Sequence, residues 1–467
     1  MARERTGPLA RVLRGLRRIE VATRPMEPER EDALARRWAE LPTTVRTPTQ
    51  MLGRRISGCE GTRAVFPRCN LACSPCYHSR EANRVRVDGA HTVREVAAQM
   101  RLLRELRGPG QPAQLIGGEV TLLAPDDHAA ALQAMIDAGR KPMSMTHGDF
   151  DYAYLETLAL DPATGRPRFA HLSFAGHFDT TMIGRRGVPR PTSEAELNPY
   201  RRRFCRMFER LRREHGVRSF LAHNMTVTPA NLDQVPDVVR ECRGYGFRLF
   251  SFQPAAYVGN PARWGDGYGT LAPDDVWRRI EEGVGARLHP GALQYGDPRC
   301  NRTAYGGFAG GRYWTMLDED DPRDRRALGS FLRAYGGMDF GAPAPLLAVR
   351  LVRGALAHPP TVPRCAAAAA RAVGRMGGPA ALARRPRPVT FVMHSFMDAG
   401  LVAAAWEMLE RGRASDDPAV RAAQERLGAC AYGMAHPSAG RVVPACAQHA
   451  VFDPADNRRL AQELGRA

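Results

Sequence analysis

Residues 61–79 read GTRAVFPRCNLACSPCYHS. A short β-branched and aromatic run, 62–66, leads directly into Cys69, Cys73 and Cys76, spaced C-x3-C-x2-C. The run predicts a strand, and the cysteines a loop leaving its C-terminal end. Thiolates are the usual ligands of iron–sulfur clusters. Three of them on one loop can hold three irons of a [4Fe-4S] cluster and leave the fourth open to a non-protein ligand, the open position a catalytic metal needs. Three merely neighbouring cysteines, or a zinc site completed by His78, are the plainer alternatives.

Outward from this loop, strand-like runs alternate with amphipathic stretches. The spacing predicts strands over 114–117, 142–146, 169–175, 220–227 and 249–253, and helices over 92–106, 126–138, 151–160, 194–214 and 230–244. Repeated strand–helix alternation implies a parallel sheet with helical crossovers. The expected fold is α/β: a partial (β/α)6 TIM-like barrel over 57–290. A basic extension, 1–56, precedes it as a helix and an extended arm, and a smaller auxiliary domain, 291–467, follows. Residues 301–345, rich in Gly, Asp and aromatics, read as loop, and 346–385 as helical fragments.

CNLACSPC resembles the signature loop of the radical S-adenosylmethionine (radical SAM) superfamily, which also follows the first barrel strand. Pro75 stands where that family often has an aromatic residue, with Tyr77 two positions later. QLIGGEVTLL, 114–123, resembles the family's GGE motif. The resemblance implies a [4Fe-4S] cluster on Cys69, Cys73 and Cys76, with S-adenosylmethionine (SAM) on the open iron. It also implies that Gly117, Gly118 and Glu119 receive the SAM ammonium. Glycines allow close backbone approach, and a carboxylate suits a cationic amine. Ser173 and Asn224, on the fourth and fifth expected strands, are implied contacts to the ribose and carboxylate of SAM, since alternation points them into a barrel. The implied activity is reductive cleavage of SAM to a 5′-deoxyadenosyl radical that abstracts hydrogen from a substrate. The electron would come from a donor such as ferredoxin or flavodoxin.

Seven further cysteines remain among ten. Cys205 and Cys242 fall in predicted helices, where a buried thiol acts as a small hydrophobe. CAYGMAHPSAGRVVPAC, 430–446, reads as cysteine, turn, strand and cysteine, and resembles the cluster-binding hairpin of auxiliary domains in radical SAM enzymes. Cys430 and Cys446 are its expected ligands to a second iron–sulfur cluster. Cys365 and Cys300 are further candidates, and His436 and His449 are alternatives. Together with HSFMDAG, 394–400, the tail is similar to radical SAM proteins of the tetraether-lipid-synthase type and bacterial relatives, which join or alter unactivated hydrocarbon positions. The substrate class so implied is a lipid or other apolar chain. The alternatives are a maturase or modifier of a peptide or RNA, and a non-catalytic iron–sulfur or zinc protein.

The chain of 467 residues carries a formal net charge of +18, almost all its basic residues being arginine. That suits either a solvated basic surface or an acidic partner. No appended RNA-binding module is visible, so nucleic acid is the less favoured partner. A basic amphipathic stretch, 346–357, could rest on an anionic membrane surface. No apolar run reaches the roughly 18 residues of a membrane span, and the first residues lack a secretory pattern. Clustered cysteines without such a pattern argue against a disulfide framework. The expected location is the cytoplasm, with peripheral contact at the inner membrane face as an option.

Overall fold

Residues 8–466 are described in a computed structural model of the chain. The first part of the chain, up to residue 7, lies outside the described residues, and with it part of the expected basic extension. The rest of that extension forms two helices, Pro8–Ala22 and Pro28–Glu40, where one was expected, followed by a short helical turn, Thr43–Val45, and irregular chain to residue 56. Pro28 sits in the first turn of the second helix, where its missing N–H costs nothing.

Six parallel strands follow: β1 (Cys59–Gly61), β2 (Pro112–Leu115), β3 (Lys141–Thr146), β4 (His171–His177), β5 (Arg218–Val227) and β6 (Leu249–Pro254). They are neighbours in sequence order, as the alternation requires. Helices Gly89–Arg107, Pro125–Asp137, Tyr152–Ala159, Asn198–His215, Val235–Cys242 and Pro273–Val284 lie between or after them.

The count of six does not describe the whole sheet. The chain beyond residue 290 adds β7 (Asn301–Ala309), β8 (Arg312–Thr315), β9 (Arg387–His394), β10 (Tyr432–His436) and β11 (Arg441–Pro444). The order is β8-β7-β9-β6-β5-β4-β3-β2-β1-β10-β11, eleven strands in one sheet. Strand β9 pairs parallel with β6, and β10 pairs parallel with β1. The expected boundary near 290 is therefore not a break in the sheet. The reason is physical: a six-strand sheet leaves β1 and β6 with unpaired edges, and the later strands cover both. The sheet stays open, since β8 and β11 do not pair.

The region 301–345 is not loop. It forms the β7–β8 hairpin and a helix, Pro322–Tyr335. Its glycines, which suggested a loop, serve close packing. A Cβ on Gly306 would lie 2.2 Å from the Trp314 carbonyl oxygen, and one on Gly307 2.4 Å from that of Arg387.

The expected strand 62–66 is not a strand: the ladder lies just before it, in β1, Cys59–Gly61. Ala64 adopts φ 50, which breaks an extended run. The ladder is continued instead by a side chain: Thr62 Oγ1 accepts from the Ile116 N–H at 2.8 Å and donates to its carbonyl at 2.6 Å. The Gly89–Arg107 helix braces the same segment. Asp88 caps it by accepting from the His91 N–H, and Val96, Met100 and Leu103 form its buried stripe. Gln99 lies in that stripe because its amide brackets Arg63, accepting from the N–H at 3.0 Å and donating to the carbonyl at 2.8 Å.

The main core lies between sheet and helices, and Phe174, Phe178, Phe204, Phe208, Phe247, Phe250 and Phe391 are buried in it. The Phe174 and Phe208 rings stand 5.0 Å apart and Phe204 and Phe208 5.1 Å. Each such ring contributes about 1.5–3 kcal/mol through burial. Phe174 on β4 fixes that strand's parity. With Leu172 and Phe174 toward the helices, Ser173, Ala175 and His177 face the opposite side of the sheet.

Candidate functional site

The cysteine loop is held from its stem upward. The Phe66 carbonyl accepts from the Gly118 N–H at 2.8 Å, and the Arg68 carbonyl from the Glu119 N–H at 2.7 Å. Gly117–Gly118–Glu119 thus runs against the segment entering Cys69. A Cβ on Gly118 would stand 1.8 Å from the Arg68 oxygen, and one on Gly117 2.8 Å from that of Phe66. Only glycine fits this approach. Farther along, Cys69 Sγ accepts from the Leu71 N–H at 3.4 Å. Residues Ala72–Cys73 pair antiparallel with Met182–Ile183, just beyond β4. Ser74 Oγ donates to the Arg263 carbonyl at 2.7 Å.

Cys69, Cys73 and Cys76 are all half-buried, and the three thiols lie in one another's fields. Burial pushes the Cys69 thiol up to about 12, with Glu119 and Cys76 adding. Burial likewise raises Cys73, followed by Cys76, Cys69 and Asp179. Arg263 opposes both shifts. Its guanidinium is buried, and Nε and Nη1 have no partner. A thiolate ligand needs a cation, and an anionic assembly needs donors. Three half-buried thiols on one short loop, each within the field of another, beside guanidinium N–H groups without a partner, fit a cluster held by three thiolates. The His78 ring is engaged by Asn457 Nδ2 at 3.2 Å and by the Gly117 backbone.

Glu119 is tied into the protein as well as placed at the loop. Its carboxylate is buried and already engaged within the protein. Oε1 accepts from Thr121 N–H (3.0 Å), Thr121 Oγ1 (2.7 Å) and Thr146 Oγ1 (2.6 Å), and Oε2 from the His147 N–H (2.8 Å). Because a helical turn, Val120–Leu122, follows directly, the side chain folds back to cap it. Of the motif, the backbone faces the loop and the carboxylate ties it to the end of β3.

At that end His147 is buried, and burial lowers its pKa against the pull of Glu119. Nδ1 accepts from the Asp149 N–H at 3.0 Å, which assigns the hydrogen to Nε2. Nε2 lies 2.8 Å from Asn70 Oδ1, inside the cysteine loop, and 3.3 Å from Glu119 Oε2.

Ser173 sits at the third position of β4, bonded to His171 Nδ1 at 3.5 Å. The residue of that face at the strand's exit is His177, about 13 Å farther on at roughly 3.3 Å per residue. Asn224 pairs in register with His177 and is buried. A network missed by sequence reasoning lies beside them. Asp179 is fully buried, taking His177 Nε2 at 2.6 Å, the Thr226 N–H at 2.7 Å and the Thr181 N–H at 2.9 Å. Burial would raise this carboxyl, but His177, Thr181 and Thr226 bring it down to about 2. The signal was present in GHFD, 176–179: a histidine at the exit of a strand face with an acid two residues on.

The later cysteines divide. The Cys430–Cys446 segment forms a hairpin, β10 against β11, turning at Gly440 with φ 61. Its two thiols stand at the same end. Burial pushes Cys446 up to about 12, with Cys430 and then Cys300 contributing. Cys300 precedes β7, on the other flank of the sheet, so the sheet curls far enough to bring its flanks together. Burial pushes Cys300 up to about 11, opposed by Arg426, whose Nε donates to its Sγ at 3.0 Å. Cys365 stands apart, on the Thr361–Met376 helix near Tyr335. Tyr77 joins the two thiol groups. Burial raises its phenol, with Cys446 and Cys76 both adding, and its ring stacks on His449 at 3.7 Å and 8°. His449 Nδ1 meets Asp453 at 2.6 Å. His436 is occupied by Gln448 Oε1 at 2.6 Å.

No family model and no curated protein matches the chain. Among solved structures it is similar to native anSMEcpe with bound AdoMet, at 15% identity and a TM-score of 0.30, covering 48% of this chain and 57% of that one. It is also similar to native anSMEcpe with bound AdoMet and the Kp18Cys peptide, at 14% identity and a TM-score of 0.31, covering 48% and 58%. The chain thus spans less than two thirds of the structures it resembles, and what those proteins bind is a property of those proteins.

Proposed function

We propose that this chain is a radical SAM enzyme. Cys69, Cys73 and Cys76 would hold a [4Fe-4S] cluster, and the Gly117–Gly118 backbone would lie beside SAM on its open side. The observation that supports the reading is the presence of three half-buried thiols on one short loop whose stem is pressed against Gly117–Glu119. When bound, the reduced cluster supplies the electron that cleaves SAM and so yields the radical that abstracts hydrogen. The chain's own residues do the rest. Arg263 supplies positive charge at the thiols. Glu119 and His147 hold the loop to β3, and Asn224 and His177 present polar groups at the exits of β4 and β5. A one-electron donor of the ferredoxin or flavodoxin class would load the site. Cys300, Cys430 and Cys446 are the proposed ligands of an auxiliary cluster, while the position of Cys365 favours a structural role. A lipid or other apolar chain is the proposed substrate class, supported by the likeness of the C-terminal motifs.

The test is anaerobic reconstitution of the full chain with iron and sulfide, followed by SAM and dithionite. The expected result is a four-iron cluster spectrum and release of 5′-deoxyadenosine, both lost in Cys73→Ala. Undiminished 5′-deoxyadenosine from Cys73→Ala would overturn the reading. Zinc at one per chain with no iron uptake would favour a non-catalytic binding protein.

A further inference from the structure

The outward face of the Ala344–Ala357 helix is apolar where a solvated helix carries charge. Its inner side is fixed by packing. Leu347 joins the cluster of Ala334, Tyr335 and Met338, and a Cβ on Gly354 would lie 2.2 Å from the Tyr335 ring. Tyr335 also donates to the Leu351 carbonyl at 3.0 Å. The opposite stripe, Pro345, Val349, Val352 and Leu356, follows helical spacing and is exposed, Leu356 by 75% and Val352 by 57%.

Two arginines of this helix bind it to Pro8–Ala22. Arg350 Nε donates to the Ala22 carbonyl at 3.0 Å and Arg353 Nη1 to that of Glu20 at 2.9 Å. The earlier helix brings its own exposed Leu13, Leu16 and Ile19, with Arg17 and Arg18 exposed among them. Charge around the patch is in net excess positive, although Arg350 pairs with Glu27 at 3.0 Å and Arg353 with Glu20 at 3.2 Å. Between Asp339 and Asp398 the chain has no acidic side chain and eight arginines.

We propose that these two helices form a docking face for an anionic phospholipid bilayer, lying in its interface with the Val349–Val352–Leu356 stripe inserted. Exposed apolar side chains beside a net excess of arginine, Arg17 and Arg18 among them, suit an acidic lipid surface, where both terms add. A second copy of the chain is less suited, because stacking two such faces brings like charges together. The inference is independent of the cluster reading.

Flotation of the full chain with phosphatidylcholine vesicles, with and without phosphatidylglycerol, tests it. Wild type floats with the phosphatidylglycerol vesicles and less so in high salt. Val352→Asp with Leu356→Asp lowers binding by about tenfold or more, with unchanged circular dichroism and iron content. Val352→Ser with Leu356→Ser serves if the charged variant misfolds, and also weakens binding. The proposal is overturned if wild type ignores anionic vesicles or if a folded variant binds as well as wild type. It is equally overturned if sedimentation shows a dimer that the substitutions dissociate, since a second copy then covers the face.

Discussion

His147 Nε2 lies 2.8 Å from Asn70 Oδ1, so the exit of β3 holds the cysteine loop between its first two thiols. Asn70→Ala leaves the buried imidazole N–H with only its longer approach to Glu119. A lost partner at a buried donor costs about 1–3 kcal/mol. The variant is expected to melt lower and to lose iron faster on gel filtration while still taking it up. Iron retention equal to wild type would show the tether to be dispensable.

Gly118→Ala is expected to be far more damaging than its size suggests. The added Cβ meets a main-chain oxygen, Arg68 at 1.8 Å, which cannot rotate aside. Overpacking of this kind costs about 3 kcal/mol or more. Gly117→Ala, whose Cβ would stand 2.8 Å from the Phe66 oxygen, should be milder. Thermal melting and iron uptake of the pair should rank in that order.

Iron analysis separates the later cysteines. Cys446→Ser should lower iron per reconstituted chain while leaving some SAM cleavage, whereas Cys365→Ser should leave iron unchanged. Equal iron in Cys446→Ser and wild type removes the auxiliary cluster.

His128 gives a pH dependence. It is fully buried between Tyr154 and Ser144, and burial lowers its pKa from 6.5 to about 3. The unfolded chain therefore binds the proton first. Stability is unaffected above 6.5 and falls as pH drops through the window from 6.5 to about 3. At pH 5 the cost of this one residue is about 2 kcal/mol. His128→Gln should lose less melting temperature between pH 7 and pH 5 than wild type does. An identical drop in both would assign the acid sensitivity elsewhere.

Five of the six barrel strands and the cysteine loop were legible because their signals are local: alternation, β-branching and a fixed cysteine spacing; the run 62–66 lies just past β1. What sequence missed is long-range. Nothing near residue 60 announces that residue 434 will pair with it, as Met434 does with Gly61. Gly306 and Gly307 read as flexibility because their partners, Trp314 and Arg387, are distant or across a turn. Nothing in GGE shows that Thr146 and the His147 backbone converge on the Glu119 carboxylate. His177 carries no signal of its place at the strand exit, because strand ends are poorly marked in sequence and β4 runs two residues past the expected 175.

The pairing of β1 with β10 also bears on how the chain is made. The strand that launches the cysteine loop has one of its two neighbours some 370 residues downstream. A ribosome that has not yet released residue 436 therefore exposes a naked strand edge next to three free thiols, a state open to misassembly and oxidation. Metal loading before synthesis is complete would meet a half-built socket, which favours late maturation of the polypeptide.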